Sequence, residues 1–175
     1  MADEKIVVAK LEDLLMEKKQ AEESERIDKV AIIGAGVMGQ GIAQTISSAG
    51  IDVLIIEKDE QGIERAKEGL KLSMEREIAR WAMTKSEMKS IFSRMMWSTD
   101  LEDVKECDII IEAVEENLEL KRSLFKKFDE IAKEETIFVS NTSTLSVSKI
   151  AEITSRQDRI IGMHFLNPVD RKSVV

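Results

Sequence analysis

Residues 29–41 read KVAIIGAGVMGQG, and the fold follows from this stretch. A short β-branched run, KVAII (29–33), leads straight into Gly34, Gly36 and Gly39 in G-x-G-x-x-G spacing, and helix-forming sequence continues to about Ala49. Each glycine answers a physical need: Gly34 a tight turn, Gly36 the close approach of backbone to a pyrophosphate, Gly39 the packing of helix on strand. Phosphates at such a turn rest against the helix N-terminus, where free N–H groups and the helix dipole favour anions. The second apolar run, DVLII (52–56), ends in Glu57. An acid about 20 residues beyond the first glycine is placed to accept hydrogen bonds from an adenosine ribose. A carboxylate there repels a 2′-phosphate, so the expected cofactor is NAD rather than NADP, with Lys58 beside it softening the preference. A tight turn without a ligand is the competing reading of the glycines alone.

Outward from this core the pattern keeps alternating. A long proline-free helical stretch over roughly 59–94 precedes the apolar run CDIIIEAV (107–114), and the helix NLELKRSLFKKFDEIAK (117–133) follows. TIFVSN (136–141), the helix SVSKIAEIT (146–154) and RIIGM (159–163) complete the series. Continuous apolar strands separated by helices indicate an α/β fold, a doubly wound and mainly parallel sheet of Rossmann type covered on both faces. Residues 1–28 read as an amphipathic helix or linker, with Val7, Leu11, Leu14 and Leu15 on one face, leading into a single domain over 29–175. That helix either packs on the body or serves as a linker or docking segment.

Composition narrows the function. The 175 residues are 43% hydrophobic, a globular value, and 34 acidic against 26 basic side chains give a net charge of −8. An acidic surface without basic–aromatic clusters argues against nucleic-acid binding. One cysteine, Cys107, allows no intrachain disulfide and no Cys-rich metal site, so no metal is expected. The acidic start MADEK and the lack of a membrane-length apolar run point to a cytoplasmic protein that does not enter the membrane.

Polar residues gather where ligands bind in open α/β sheets, at or after the carboxyl ends of strands: Glu112, Glu116, the SNTST run (140–144) and His164, the only histidine. Helix capping accounts for part of the SNTST run.

Four segments together, VAIIGAGVMGQGIAQ, IIEAVEENLELKRSLF, SNTSTLSVSKIA and IIGMHFLNP, resemble the NAD-binding domain of the L-3-hydroxyacyl-CoA dehydrogenases. The resemblance spans about residues 29–175, and NTST with NPVDRKSVV looks most like the multifunctional fatty-acid oxidation branch. It implies oxidation of (S)-3-hydroxyacyl-CoA to 3-oxoacyl-CoA in β-oxidation, with NAD as cofactor and acyl-CoA as substrate. It further implies that Gly34, Gly36, Met38, Gly39 and Glu57 hold the pyrophosphate and ribose, and that Glu116, Lys121 and Asn167 line the cofactor site. Ser143 matches the serine bonded to the substrate 3-oxygen and His164 the catalytic histidine, while Ser73 and Arg80 fall where relatives contact coenzyme A. A neutral imidazole, with an ordinary pKa of about 6.5, suits proton removal near neutrality.

In that family a glutamate pairing with the histidine would fall just past Val175, and a C-terminal helical domain for substrate and dimerisation would follow. The expectation is therefore an NAD-binding half, weak or inactive alone, that associates with a helical half or with itself. A non-catalytic NAD(H)-binding module, the NAD half of a split enzyme, and another β-hydroxyacid-type dehydrogenase are the alternatives, NTST with HFLNP arguing against the last.

Overall fold

The computed structural model describes residues 26–167 and Val169; the expected N-terminal helix lies almost wholly outside them. In chain order the elements are β1 (Lys29–Ile33), α1 (Val37–Ser48), β2 (Asp52–Ile56), α2 (Glu60–Ala79), α3 (Lys85–Ser93), β3 (Met95–Ser98), β4 (Ile109–Glu112), α4 (Leu118–Ile131), β5 (Ile137–Ser140), α5 (Val147–Ala151) and β6 (Ile160–Gly162). A 3-10 turn, Leu101–Glu106, precedes β4, and another, Gln157–Arg159, precedes β6.

The six strands form one sheet in the order β3-β2-β1-β4-β5-β6, and every neighbouring pair is parallel. This is the Rossmann-type doubly wound sheet expected from the alternating pattern. Winding reverses between β1 and β4, so a crevice opens above their carboxyl ends. The register aligns Ile33 with Ile56 on one side and Glu112 on the other, then Glu112 with Ser140 and Ser140 with Gly162. The last rung of the sheet thus turns from apolar to polar as it crosses the switch point.

Both faces are covered because successive side chains point to opposite sides of a strand. Val30, Ile32, Val53, Ile55 and Ile111 pack against Ile42, Leu70, Met74 and Ile91 of α1–α3. Ala31, Ile33, Leu54, Ile56, Ile110 and Phe138 pack on the opposite face with Val104, Phe125, Phe128 and Ile150. Phe125, Phe128 and Phe138 form a closed aromatic triangle with centroids 5.5–6.1 Å apart. Cys107 is buried in the same layer, and burial pushes its thiol up to about 11, the Lys29 charge offsetting part of the effect.

Three features depart from the sequence reading. The helical stretch over 59–94 is two helices: Trp81 adopts a left-handed φ of 60°, unusual for a bulky side chain, and Thr84 starts α3 with a capping box. The Glu87 carboxylate accepts from the Thr84 N–H at 2.7 Å, and the Glu87 N–H donates to Thr84 Oγ1 at 3.2 Å. β3 at the sheet edge was not anticipated, and α5 is shorter than the helix expected over 146–154. Among the described residues no helix is long and apolar enough to cross a membrane.

The aromatic triangle makes a direct prediction. Phe128→Ala leaves a cavity between α4 and the sheet and lowers unfolding free energy by about 3–5 kcal/mol in a urea titration; a loss near zero would mean that the triangle is not a closed core.

Candidate cofactor and active site

The glycine turn is built by close approach. Gly34 has φ 98°, its N–H donates to the Ile56 carbonyl at 2.8 Å, and a Cβ there would stand 2.8 Å from the Ala113 carbonyl oxygen. A Cβ on Gly39 would overlap the Gly34 carbonyl oxygen, so the helix can sit this close to the turn only with glycine at that position. Gly36 is different: nothing lies within 4 Å of a Cβ built on it, so this backbone faces open space. It caps α1 without a side-chain bond, and the first turn of that helix holds no acid. Met38 sits half-buried in the same turn. An uncapped helix start beside bare backbone suits a pyrophosphate.

Glu57, at the end of β2, folds back on this turn. One carboxylate oxygen accepts from the Ala35 N–H and the other from the Lys58 N–H, both at 2.9 Å. A cleft of about 570 Å³ opens there, lined by Gly34, Gly36, Glu57, Lys58, Val114 and Leu120 among others. Polar backbone and one carboxylate on one side, aliphatic side chains on the other, fit an adenosine. The residues present therefore suit NAD. On the far side of α1 a groove of about 450 Å³ brings Ser73 of α2 together with Gln40, Gly41 and Asn167. Arg80 is exposed at the C-terminal end of α2 and does not line that groove.

A charge cluster at the carboxyl ends of β4 and β5 organises the remaining residues. Lys121, only 1% exposed, places Nζ 2.7 and 2.9 Å from the two oxygens of Glu112, itself 0% exposed, and 3.1 Å from Glu116. Glu112 also accepts from the Ser140 hydroxyl at 2.7 Å and the Val114 N–H at 2.9 Å. Glu116 accepts from the Thr142 hydroxyl at 2.5 Å and from the Ser143 and Thr144 N–H groups at 3.1 Å. Lys121 thus holds Glu116, which in turn holds the loop that carries Ser143. Partial burial alone would raise the Glu116 carboxyl, but hydrogen bonds from Thr142 and Thr144 and the Lys121 charge outweigh it, taking it down to about 2.

The His164 segment is tied to the same loop from the other side. The Met163 N–H donates to the Ser140 carbonyl at 3.0 Å, and the Phe165 N–H to Asn141 Oδ1 at 2.9 Å. His164 lies between these two anchors with its ring exposed, and Ser143 is exposed on the adjoining loop. The sequence places Asn141 in the polar SNTST run at a strand end, part of which reads as helix capping, but gives no sign of its anchoring bond to the Phe165 N–H.

Against known proteins, residues 29–175 match the family described as 3-hydroxyacyl-CoA dehydrogenase, NAD binding domain. The 3-hydroxybutyryl-CoA dehydrogenase of Clostridioides difficile is 40% identical over 147 residues, 84% of this chain and 52% of that protein. The glyoxysomal fatty acid beta-oxidation multifunctional protein MFP-a of Brassica napus is 37% identical over 143 residues, 82% of this chain and 20% of that one. Among solved structures, the (S)-3-hydroxybutyryl-CoA dehydrogenase of Ralstonia eutropha superposes with a TM-score of 0.80 at 40% identity, over 82% of this chain and 51% of the other. The chain spans about half the length of the two 3-hydroxybutyryl-CoA dehydrogenases.

Two outcomes follow from the charge cluster. Lys121→Met strands the Glu112 carboxylate in the interior and lowers stability by about 3–5 kcal/mol by chemical denaturation, the cost of breaking a buried pair on one side. Because the Glu116 carboxyl sits below its ordinary value of 4.5, the stability it contributes is present above about pH 4.5 and fades as pH falls toward about 2. Glu116→Gln should flatten that part of the acid-unfolding curve; identical curves for the two proteins would contradict the assignment.

Proposed function

This chain belongs to the 3-hydroxyacyl-CoA dehydrogenases, of which it is the NAD-binding domain, and from that premise we propose that it serves the NAD-dependent oxidation of (S)-3-hydroxyacyl-CoA to 3-oxoacyl-CoA in fatty-acid β-oxidation. The observation that carries the reading is the joining of two chemically equipped segments at one sheet edge. Glu116 holds the Ser143 loop, and Asn141 and Ser140 hold the His164 segment beside it.

In this reading Gly34, Gly36, Met38 and Gly39 receive the pyrophosphate and Glu57 accepts from the adenosine ribose hydroxyls. Asn167, which lines the groove on the far side of α1, is assigned to the nicotinamide end. Bound NAD supplies the hydride acceptor. Ser143 donates a hydrogen bond to the substrate 3-oxygen and orients it, while His164 accepts the proton leaving that oxygen. An imidazole exposed beside the Ser143 loop is a residue type suited to this proton transfer. Lys121 acts through Glu116, because burial keeps its ammonium from a ligand. Ser73, in that groove, is assigned to the coenzyme A portion, and so is Arg80, exposed outside the groove at the end of α2. The remaining substrate contacts come from a helical half outside this sequence, or from self-association. A cytoplasmic location belongs to the same proposal and is supported by the single cysteine, which allows no intrachain disulfide.

The test is a fluorescence titration of NADH with this chain, followed by NADH oxidation in the presence of acetoacetyl-CoA. NADH should bind, and turnover by the 175 residues alone should fall well below the ordinary enzymatic range of about 1–10³ per second. When the helical half is supplied, His164→Ala should bind NADH normally and lose a factor of about 10²–10⁴ in rate. Absence of NADH binding would sink the proposal. Binding with no response to acyl-CoA, even in the presence of that half, would favour a non-catalytic NAD(H)-binding module.

A further inference from the structure

The first turn of helix α2 contains a residue that helix propensity alone disfavours. Gly62 is the third residue after the N-cap Asp59, whose carboxylate accepts from the Gly62 N–H at 2.6 Å. Its φ lies outside the left-handed region, so conformational freedom does not explain the glycine. Space does. A Cβ on Gly62 would overlap Glu57 Cγ, stand 3.1 Å from the Glu57 carboxyl carbon and 3.3 Å from Asp59 Oδ1. The Glu57 side chain lies across this bare turn and from there reaches the Ala35 N–H in the glycine turn. The obstructed atoms belong to a flexible side chain, so an added methyl displaces the carboxylate and leaves the backbone where it is.

We infer that Gly62 is a positioning residue for Glu57: its missing side chain lets the carboxylate fold back onto the glycine turn, where it reads the cofactor ribose. The inference rests on Glu57 being the ribose acid, as proposed above. Gly62 touches no ligand; its effect passes through the Glu57 side chain. The same carboxylate disfavours a 2′-phosphate by charge repulsion, so moving it weakens NADH binding and also erodes the preference for NADH over NADPH.

The experiment is a double-mutant cycle on NADH and NADPH binding by this chain, comparing wild type, Gly62→Ala, Glu57→Ala and the double variant. Glu57→Ala should weaken NADH on the order of tenfold, the loss expected for hydrogen bonds to a charged group. Gly62→Ala should weaken NADH in the wild-type background, lower the NADPH-to-NADH ratio of dissociation constants, and add nothing once Glu57 is gone. That ratio cancels any change in the fraction of folded protein, so a partly unfolded variant still gives an answer. If Glu57→Ala binds NADH as wild type does, the ribose-acid reading fails and this inference with it. If Glu57→Ala weakens binding while Gly62→Ala leaves both affinity and ratio unchanged, only the inference fails. Equal losses from Gly62→Ala with and without Glu57 would also overturn it, because the effect would not pass through the carboxylate.

Discussion

An ammonium group cannot be left alone inside a protein, and the architecture of the site follows from how Lys121 meets that constraint. Removing a charge from water costs several kcal/mol in effective terms unless partners replace the lost hydration. Here the replacement comes from two carboxylates, Glu112 at the end of β4 and Glu116 in the loop after it. Glu112 is held by Ser140 of the neighbouring strand, and Glu116 gathers the hydroxyl and amide donors of the 142–144 loop. One buried cation thereby fixes the relative positions of β4, β5, α4 and the loop carrying Ser143. Hydrophobic packing makes the sheet; this cluster sets the arrangement at its upper edge.

The cluster lies where it does because of the strand order. Reversal of winding between β1 and β4 leaves a crevice that no crossover helix covers, and the last rung of the sheet there includes Glu112 and Ser140. On the β1 side, the glycine turn and Glu57 offer backbone N–H groups and one carboxylate. On the β5 side, the loop and the His164 segment offer groups able to hold and move a proton. The parallel sheet keeps a dinucleotide-binding half and a reacting half on the same edge.

Much of this was legible in the sequence, for a local reason. Gly34, Gly36 and Gly39 act within one turn, and a short apolar strand followed by helix leaves few alternatives. Glu57 was legible because it ends the next strand at the expected interval. The break between α2 and α3 was not, since Trp81 takes a left-handed conformation normally left to glycine and no proline marks the corner. The Thr84–Glu87 spacing was the available signal. β3 escaped because only Arg94 separates it from α3, and Met95 and Met96 extend a helix-like pattern. Lys121 carries no mark of burial in the sequence: on an amphipathic helix a lysine ordinarily points to water, and only the meeting of α4 with the ends of β4 and β5 turns it inward. Gly62 likewise looks like a weak position in a helix until the path of the Glu57 side chain is seen.

Cys107 has a practical consequence. Its thiol is fully buried and shifted to about 11, so in the native state it is both shielded from a disulfide reagent and almost wholly in the unreactive protonated form near neutrality. Labelling must then wait for the aromatic layer around it to open. With a single cysteine in the chain, the rate of that labelling becomes an intrinsic clock for opening of the core, read without an added probe.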